Sequence, residues 1–223
     1  MERVTIDVVS DIVCPWCYLG KARLELAIAD VQDEVGIDIN WRPYLLDPDA
    51  TADGSDYRSH LISKLGSAER LDESQDLLRQ YGKEIGISYN FEAIKVRANT
   101  LDAHRLLHWA RIEGGEVQDK VATALFKAHF EDGRNVAEHD VLLDIAARCG
   151  LDREMIAQLL RSDADKDTIR DEIESAQKMG VNGVPFFIFD GQYAVSGAQM
   201  PDVLANALRD IARMKAEARK SMI

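Results

Sequence analysis

Cys14-Pro15-Trp16-Cys17 stands between a run of β-branched residues and the start of a helical pattern. The run from Val4 to Val9 is bounded by Ser10-Asp11, which predicts a half-buried or central strand. From Tyr18 onward, apolar residues recur near the 3.6-residue period without an interior proline, which predicts a helix of about four turns. Cys14 therefore falls at the start of this helix.

The spacing of the two cysteines lets their sulfurs meet, because residues three apart on a helix share a face. Pro15 suits the first turn, where its missing N–H costs nothing. Unpaired backbone N–H groups and the positive end of the helix dipole favour a thiolate at Cys14. Cys17 lies deeper, so we expect it to be more shielded and to have the higher pKa. Cys14 is thus the predicted attacking thiol and Cys17 the resolving thiol of a disulfide exchange.

Two other interpretations of the motif are weaker. A zinc site needs further ligands, and the chain has no second CxxC and only Cys149 as another cysteine, so we predict no metal. A structural disulfide across so short a loop removes little chain entropy. His104 and His108 have a spacing that can hold a metal, but without a third ligand a packing or surface role is favoured. For Cys149, an inert apolar role is the default.

Composition and charge limit the function classes. The chain of 223 residues is 46% hydrophobic and 30% charged, and it contains no apolar run of the ~18 residues that span a membrane. A net charge of -12 disfavours nucleic acid and anionic membranes as partners. Met1-Glu2-Arg3 leads directly into the first strand without the features of a secretory signal, so we expect a cytoplasmic protein.

The rest of the chain predicts an α/β domain interrupted by helices. Ile37 to Pro43 alternates as a second strand, which completes a βαβ unit, and the turn-rich segments Leu46-Asp47-Pro48-Asp49 and Ala52-Asp53-Gly54 mark a boundary. Phe186 to Phe189, the Asp190-Gly191 turn and Tyr193 to Val195 predict a hairpin. We therefore predict a discontinuous thioredoxin-like domain of residues 1–48 and 162–223 around an all-helical insertion of residues 49–161.

Apolar spacings of three and four predict the helices, and glycines such as Gly66, Gly82 and Gly150 are interpreted as their C-terminal stops. The predicted helices of the insertion are Tyr57–Leu65, Ala68–Tyr81, Thr100–Ile112, Glu116–Phe130, Glu138–Arg148 and Asp152–Leu160. Thr168–Met179 and a long closing helix from Met200 to Lys220 flank the predicted hairpin.

Five segments in this order resemble the DsbA-like branch of the thioredoxin superfamily, and within it the FrnE-type cytoplasmic oxidoreductases. The segments are Asp11-Ile12-Val13-Cys14-Pro15-Trp16-Cys17, Trp41-Arg42-Pro43, Asn99-Thr100 with Ala103-His104-Arg105, Gly180-Val181 through Gly183-Val184-Pro185-Phe186-Phe187, and Ser196-Gly197-Ala198-Gln199. The resemblance spans the whole chain and implies a thioredoxin fold with a helical insertion.

The resemblance also implies a site. Val184-Pro185 would be a cis peptide facing the CxxC, where the Val184 backbone could bind an extended substrate. Asn99, His104 and Arg105 are candidate substrate-binding residues, since helical-module residues line the pocket in the related isomerases. Trp16 and Trp41 are candidates to shield the sulfurs, with a core role as the alternative for Trp41.

Three functions remain open on the sequence. The leading hypothesis is a thiol-disulfide oxidoreductase that acts through Cys14 and Cys17 on protein or small thiol substrates. It would have no tightly bound cofactor, and glutathione would be a redox partner or a substrate. The second is a glutathione-dependent isomerase or transferase related to 2-hydroxychromene-2-carboxylate isomerase and kappa-class glutathione transferase. The third is a non-catalytic redox-sensing or chaperone-like binder.

Overall fold

A four-stranded mixed sheet forms the centre of the computed structural model, which describes residues 1–50 and 55–221. The strands are β1 (Glu2–Ser10), β2 (Val35–Pro43), β3 (Phe186–Phe189) and β4 (Tyr193–Ser196), in the spatial order β2-β1-β3-β4. β1 and β2 are parallel, whereas β3 is antiparallel to both of its neighbours, β1 and β4. This arrangement confirms the predicted βαβ unit and the predicted hairpin.

The helices cover both faces of the sheet and fill the segment between β2 and β3. Their bounds are α1 (Pro15–Val31), α2 (Tyr57–Leu65), α3 (Ala68–Glu84), α4 (Leu101–Glu113), α5 (Gly115–Phe130), α6 (His139–Arg148), α7 (Arg153–Arg161), α8 (Lys166–Lys178) and α9 (Pro201–Ser221). A short 3-10 helix, Phe91–Ala93, joins α3 to α4. From residue 55 to 161 the structure contains helices and one isolated bridge, Asp56 with Val96. The α/β fold class with inserted helices is confirmed.

One glycine differs from its predicted role. Gly82 was predicted to stop a helix, yet it lies inside α3, which continues to Glu84. A Cβ at this position would come within 2.9 Å of the Tyr89 ring. The close approach of Tyr89 therefore accounts for the glycine, which the local pattern does not reveal.

Two predicted turns lie at the ends of the sheet. Asp190 and Gly191 both have positive φ, and the Gln192 N–H donates to the Phe189 carbonyl at 3.0 Å, as a tight hairpin turn requires. In the segment after β2, the Ala50 N–H donates to the Asp47 carbonyl. The predicted Ala52-Asp53-Gly54 turn lies outside the described residues.

One apolar cluster connects the sheet with the inserted helices. It includes Ile6 and Val8 of β1, Leu19 of α1, Phe126 of α5 and Leu208 of α9, all of them buried. The division of the chain into domains at residues 48 and 162 stays a prediction. The shared cluster means that the helices between β2 and β3 pack directly against the elements that carry the two cysteines.

Candidate active site

The CxxC motif lies at the junction of β1 and α1, as predicted. Cys14 is the N-cap residue of α1, and Pro15 occupies its first turn. The Cys14 N–H donates to the Asp11 carbonyl at 3.1 Å, which closes the turn after β1. The Cys14 carbonyl in turn accepts from the Cys17 N–H at 3.0 Å. The helix therefore begins at the first cysteine and holds the second one turn inside.

The two thiols are adjacent but differ in their surroundings. Cys14 is 4% exposed and its Sγ lies 3.7 Å from the Val184 carbonyl oxygen, whereas Cys17 is 1% exposed. Burial raises the pKa of Cys17 well above its ordinary value, and the hydrogen bond with Cys14 raises it further. Cys17 is therefore the more buried of the two thiols, as predicted, and its pKa is raised.

The loop opposite Cys14 contains a cis Val184-Pro185 peptide bond, which confirms what the resemblance implied. The Pro185 carbonyl accepts from the Gly197 N–H at 2.9 Å, so the loop is bonded to the segment after β4. Gly20 of α1 lies directly against this proline, because a Cβ there would be 3.0 Å from Pro185 Cγ. The missing side chain at Gly20 lets α1 approach the loop closely.

A cavity of about 300 Å³ opens beside Cys14. Its walls are mostly apolar side chains, among them Trp16, Tyr57, Leu61, Leu71, Leu78 and Phe91. The polar residues in its lining are mainly charged or titratable and include Lys64, His60, Asp47 and Arg97. The Asp47 carboxylate lies 2.8 Å from the Arg97 guanidinium and 3.0 Å from His60 Nε2. The reactive motif thus faces a small apolar pocket with cationic side chains in its lining.

Asp11 connects the motif with the inserted helices. Its carboxylate is fully buried and accepts from the Leu46 N–H and from the Thr100 hydroxyl, each at 2.8 Å. The His104 Nε2 lies 3.5 Å from the same carboxylate and 3.0 Å from the Tyr44 carbonyl. His104 therefore contacts the carboxylate of Asp11 in the turn before Cys14 and does not face the cavity.

The other two predicted substrate-binding residues also bond within the protein. Asn99 donates to the Ala50 carbonyl at 2.6 Å and accepts from the Leu101 N–H at 3.0 Å. Arg105 is fully buried, and its guanidinium donates to the Asp102 carboxylate, to the Leu159 carbonyl in the last turn of α7, and to two backbone carbonyls between α7 and α8. The structure brings Cys14, Pro15, Trp16 and Val184 together around the cavity, and Asn99, His104 and Arg105 lie outside its lining.

Two tyrosines belong to this site although the sequence did not single them out. The Tyr89 hydroxyl donates to the Pro15 carbonyl at 2.6 Å, and Tyr57 lines the cavity. Burial raises the pKa of both phenols, with Cys14 contributing further. No periodicity or motif marks either residue, because each reaches the first turn of α1 only through the tertiary packing of the chain.

The remaining candidates lie away from the cavity. Trp41 is buried against Phe126, and its indole N–H donates a hydrogen bond to the Asp119 carboxylate. Trp41 therefore has the core role that was the alternative to shielding the sulfurs. His108 Nδ1 is 3.6 Å from Glu172. Cys149 is half-buried at the end of α6, and burial raises its pKa.

Residues 1–50 and 55–221 contain no group of three or more His, Cys, Asp or Glu side chains placed to hold a metal ion. Within the same ranges, no helix is both long enough and apolar enough to cross a membrane.

Comparison with known proteins gives one family and several structural relatives. The profile of the DSBA-like thioredoxin domain matches residues 5–209. A probable DsbA oxidoreductase from Streptomyces coelicolor is 33% identical, with a TM-score of 0.82 over 93% of this chain and 89% of that chain.

More distant structures share the fold. A 2-hydroxychromene-2-carboxylate isomerase is 18% identical, with a TM-score of 0.74 over 96% of this chain and 98% of that one. The cytosolic disulfide reductase DsbM from Pseudomonas aeruginosa, solved with GSH, is 17% identical, with a TM-score of 0.58 over 97% and 99% of the two chains. Because the family profile covers nearly the whole chain and the strand-to-helix junction carries its two thiols, this protein belongs to the DSBA-like thioredoxin domain family.

Proposed function

We propose that this protein is a thiol-disulfide oxidoreductase in which Cys14 attacks and Cys17 resolves. The observation that carries the proposal is the position of the Cys14 sulfur: it lies at the N-terminus of α1, beside Val184 and at the wall of an open cavity. A thiolate is favoured at a helix N-terminus and is the nucleophile of disulfide exchange. Cys17, one helical turn further along α1 and more deeply buried, is suited to the second step.

The reaction needs two exchanges. The Cys14 thiolate attacks a substrate disulfide, which forms a mixed disulfide and releases one substrate thiolate that takes up a proton. Cys17 then loses its proton and attacks Cys14, which releases the second substrate thiol and leaves a Cys14–Cys17 disulfide. The substrate is reduced by two electrons and the protein is oxidised by two. The reverse sequence oxidises a substrate dithiol, and the direction follows the relative reduction potentials.

The cavity supports two kinds of thiol partner. Its apolar wall suits an apolar side chain next to the cysteine of an extended peptide, with Val184 available to bind the backbone. Of its cationic members, Arg97 already pairs with Asp47, and Lys64 suits a carboxylate of glutathione. We place the activity in the cytoplasm, as the sequence predicts, where glutathione would return the protein to its dithiol form. The FrnE-type resemblance stays a prediction.

Single-cysteine variants test the proposal with insulin and glutathione disulfide as substrates. Cys14→Ala should reduce turnover of both to the uncatalysed background. Cys17→Ala should form a mixed disulfide that mass spectrometry detects and that does not resolve. Cys149→Ala is the matched control, because this half-buried thiol lies at the end of α6, and it should turn over like the parent.

Turnover that persists in Cys14→Ala would contradict the assignment. Tight glutathione binding without any redox-active disulfide would favour the isomerase or transferase alternative instead.

A further inference from the structure

Two buried polar side chains in the wall of the Cys14 cavity have no hydrogen-bond partner in the described part of the chain. They are Tyr57, the first residue of α2, and Gln75 of α3, which are 7% and 6% exposed. Their polar atoms differ from Ser10 Oγ, which is unpartnered and also sealed from solvent. The Tyr57 hydroxyl and the Gln75 carboxamide are therefore unpartnered but open to the space beside them. Because buried polar groups are nearly always bonded, this pair points to a ligand.

Tyr57 and Gln75 lie in the partition between two cavities. Together with Phe91 they line both the Cys14 cavity and a second cavity of about 630 Å³. The Tyr57 ring packs edge-on against His129, with 6.3 Å between the ring centroids, which holds it in this partition. A ligand that enters beside Cys14 therefore meets the two residues at a wall of the cavity.

The second cavity has a different character from the Cys14 cavity. Most of its other lining residues are charged, and they pair with one another. The Arg58 guanidinium lies 2.9 Å from the Asp72 carboxylate, and the Arg79 guanidinium lies 2.7 Å from the Asp76 carboxylate. The partner of Tyr57 and Gln75 is therefore sought on the side of Cys14, where the reactive sulfur lies.

The Cys14 cavity suits a side chain with an apolar body and a polar tip. Its volume of about 300 Å³ is at the small end of ligand pockets, which fits one large side chain. The walls near the motif include the apolar residues Trp16, Leu71 and Phe91. A hydroxyl and a carboxamide are neutral, so they suit a neutral polar tip rather than a charged one. Among the common side chains, tyrosine combines an aromatic ring with a hydroxyl that needs a partner when buried.

We propose that Tyr57 and Gln75 select substrate peptides that carry a tyrosine within two residues of the reactive cysteine, by hydrogen-bonding its phenol group. The phenol of the substrate donates to the Gln75 carboxamide oxygen and accepts from the Tyr57 hydroxyl, while its ring packs on the apolar wall. A peptide extended along Val184 carries its side chains alternately on two faces, so a residue close to the cysteine reaches the cavity. The inference rests on the proposed function and names the class of its substrates.

Competition between two peptide disulfides in one reaction tests this selection. Short peptides with a single cysteine carry either tyrosine or phenylalanine at one of the four positions nearest to the cysteine. The symmetric disulfides of each tyrosine–phenylalanine pair are mixed with limiting reduced protein in a Cys149→Ala background. The released thiols are then separated by chromatography after an acid quench. Their ratio gives the ratio of the two kcat/KM values, and the same exchange with dithiothreitol gives the uncatalysed reference.

At one or more positions the parent should consume the tyrosine peptide roughly three- to twelvefold faster than the phenylalanine peptide, which is the range of a neutral hydrogen bond. Tyr57→Phe and Gln75→Leu should each lower this ratio to less than about twofold. Neither should slow the reaction of the phenylalanine peptide, because only a polar group is removed. Gln80→Leu, at an exposed glutamine of α3, and Tyr193→Phe, on β4, are the matched controls and should keep the parent ratio.

A parent ratio equal to the dithiothreitol ratio at all four positions would overturn the inference while leaving the proposed function intact. This measurement uses the parent alone, so it does not depend on the folding of a variant. A tyrosine preference that persists in both Tyr57→Phe and Gln75→Leu would also overturn the inference, because other groups would then bind the phenol. Failure of the parent to reduce any of the peptides would instead refute the proposed function.

Discussion

The start of α1 and the start of α4 both bury polar side chains, but they satisfy them differently. At α4, Arg105 donates to four acceptors and Asn99 uses both ends of its amide. By contrast, the Ser10 hydroxyl just before α1 and both ring nitrogens of His129 in α5 have no partner within residues 1–50 and 55–221. We call Asn99 to Arg105 the saturated region and the surroundings of Ser10 and His129 the unsaturated region. Since most buried polar groups in proteins are bonded, the saturated region is interpreted as scaffold, and the unsaturated region is the exception.

This difference shows why a cluster of polar residues in a helix can mislead. Asn99, His104 and Arg105 carry the functional groups expected of a binding site, yet each is occupied by the fold. Arg105 ties α4 to the connection between α7 and α8, and the Arg105 guanidinium also lies over the Trp109 ring. The Cys14 thiol instead lies against an open cavity, with Cys17 one turn inside α1.

The largest effect on stability should come from removing the guanidinium charge of Arg105 in the saturated region. Arg105→Met keeps much of the side-chain volume but removes the buried guanidinium that donates to the Asp102 carboxylate and to three backbone carbonyls. We expect a loss of roughly 3–5 kcal/mol in the free energy of unfolding, measured by urea denaturation. Arg170→Met, which removes an exposed pair with Asp167, should change stability by at most about 1 kcal/mol.

If the saturated region serves only as scaffold, then the folded fraction of Arg105→Met should have the same rate of Cys14 alkylation as the parent. A variant of parent stability that loses thiol reactivity would instead place Arg105 in the site and remove the contrast between the two regions.

The next effect concerns His129, which packs behind Tyr57 in the unsaturated region. Burial lowers the pKa of His129 from 6.5 to about 4. Between these values the unfolded chain binds a proton that the folded chain does not, so this residue lowers stability as pH falls. The full loss, about 3 kcal/mol, should be reached near pH 4.

Urea denaturation at several pH values tests this expectation. His129→Leu should remove this part of the decline between pH 6.5 and 4, whereas Phe130→Leu, a packing control on the same helix, should keep the decline of the parent. If both variants keep it, then His129 is not held neutral in the folded chain.

The smallest effect concerns the hydrogen bond that links the inserted helices to the CxxC turn. Tyr89→Phe removes the donor to the Pro15 carbonyl and should cost about 0.5–1.5 kcal/mol of unfolding free energy. Tyr193→Phe on the exposed strand β4 is the matched control and should be neutral within about 0.5 kcal/mol. A Tyr89→Phe variant as stable as this control would show that the link contributes nothing to folding.

Much of the fold follows from local pattern, and most of the site does not. The β-branched run before Cys14, the apolar period after it and the Asp190-Gly191 turn are short-range signals, and each gave the observed element. The cis Val184-Pro185 bond was implied only by resemblance. Tyr57 and Tyr89 were missed, because a tyrosine at the start of a helix or in a loop looks the same in the sequence whether or not the fold brings it to the active site.

The sequence by itself determined the order of strands and helices and the placement of two cysteines one helical turn apart, because periodicity and spacing act over a few residues. Only the tertiary structure decided which polar groups were already bonded and which were left for chemistry. Cys14 contacts Val184, 170 residues away, because β1 pairs with β3. Contacts of that separation arise from the packing of the whole chain and have no local signature.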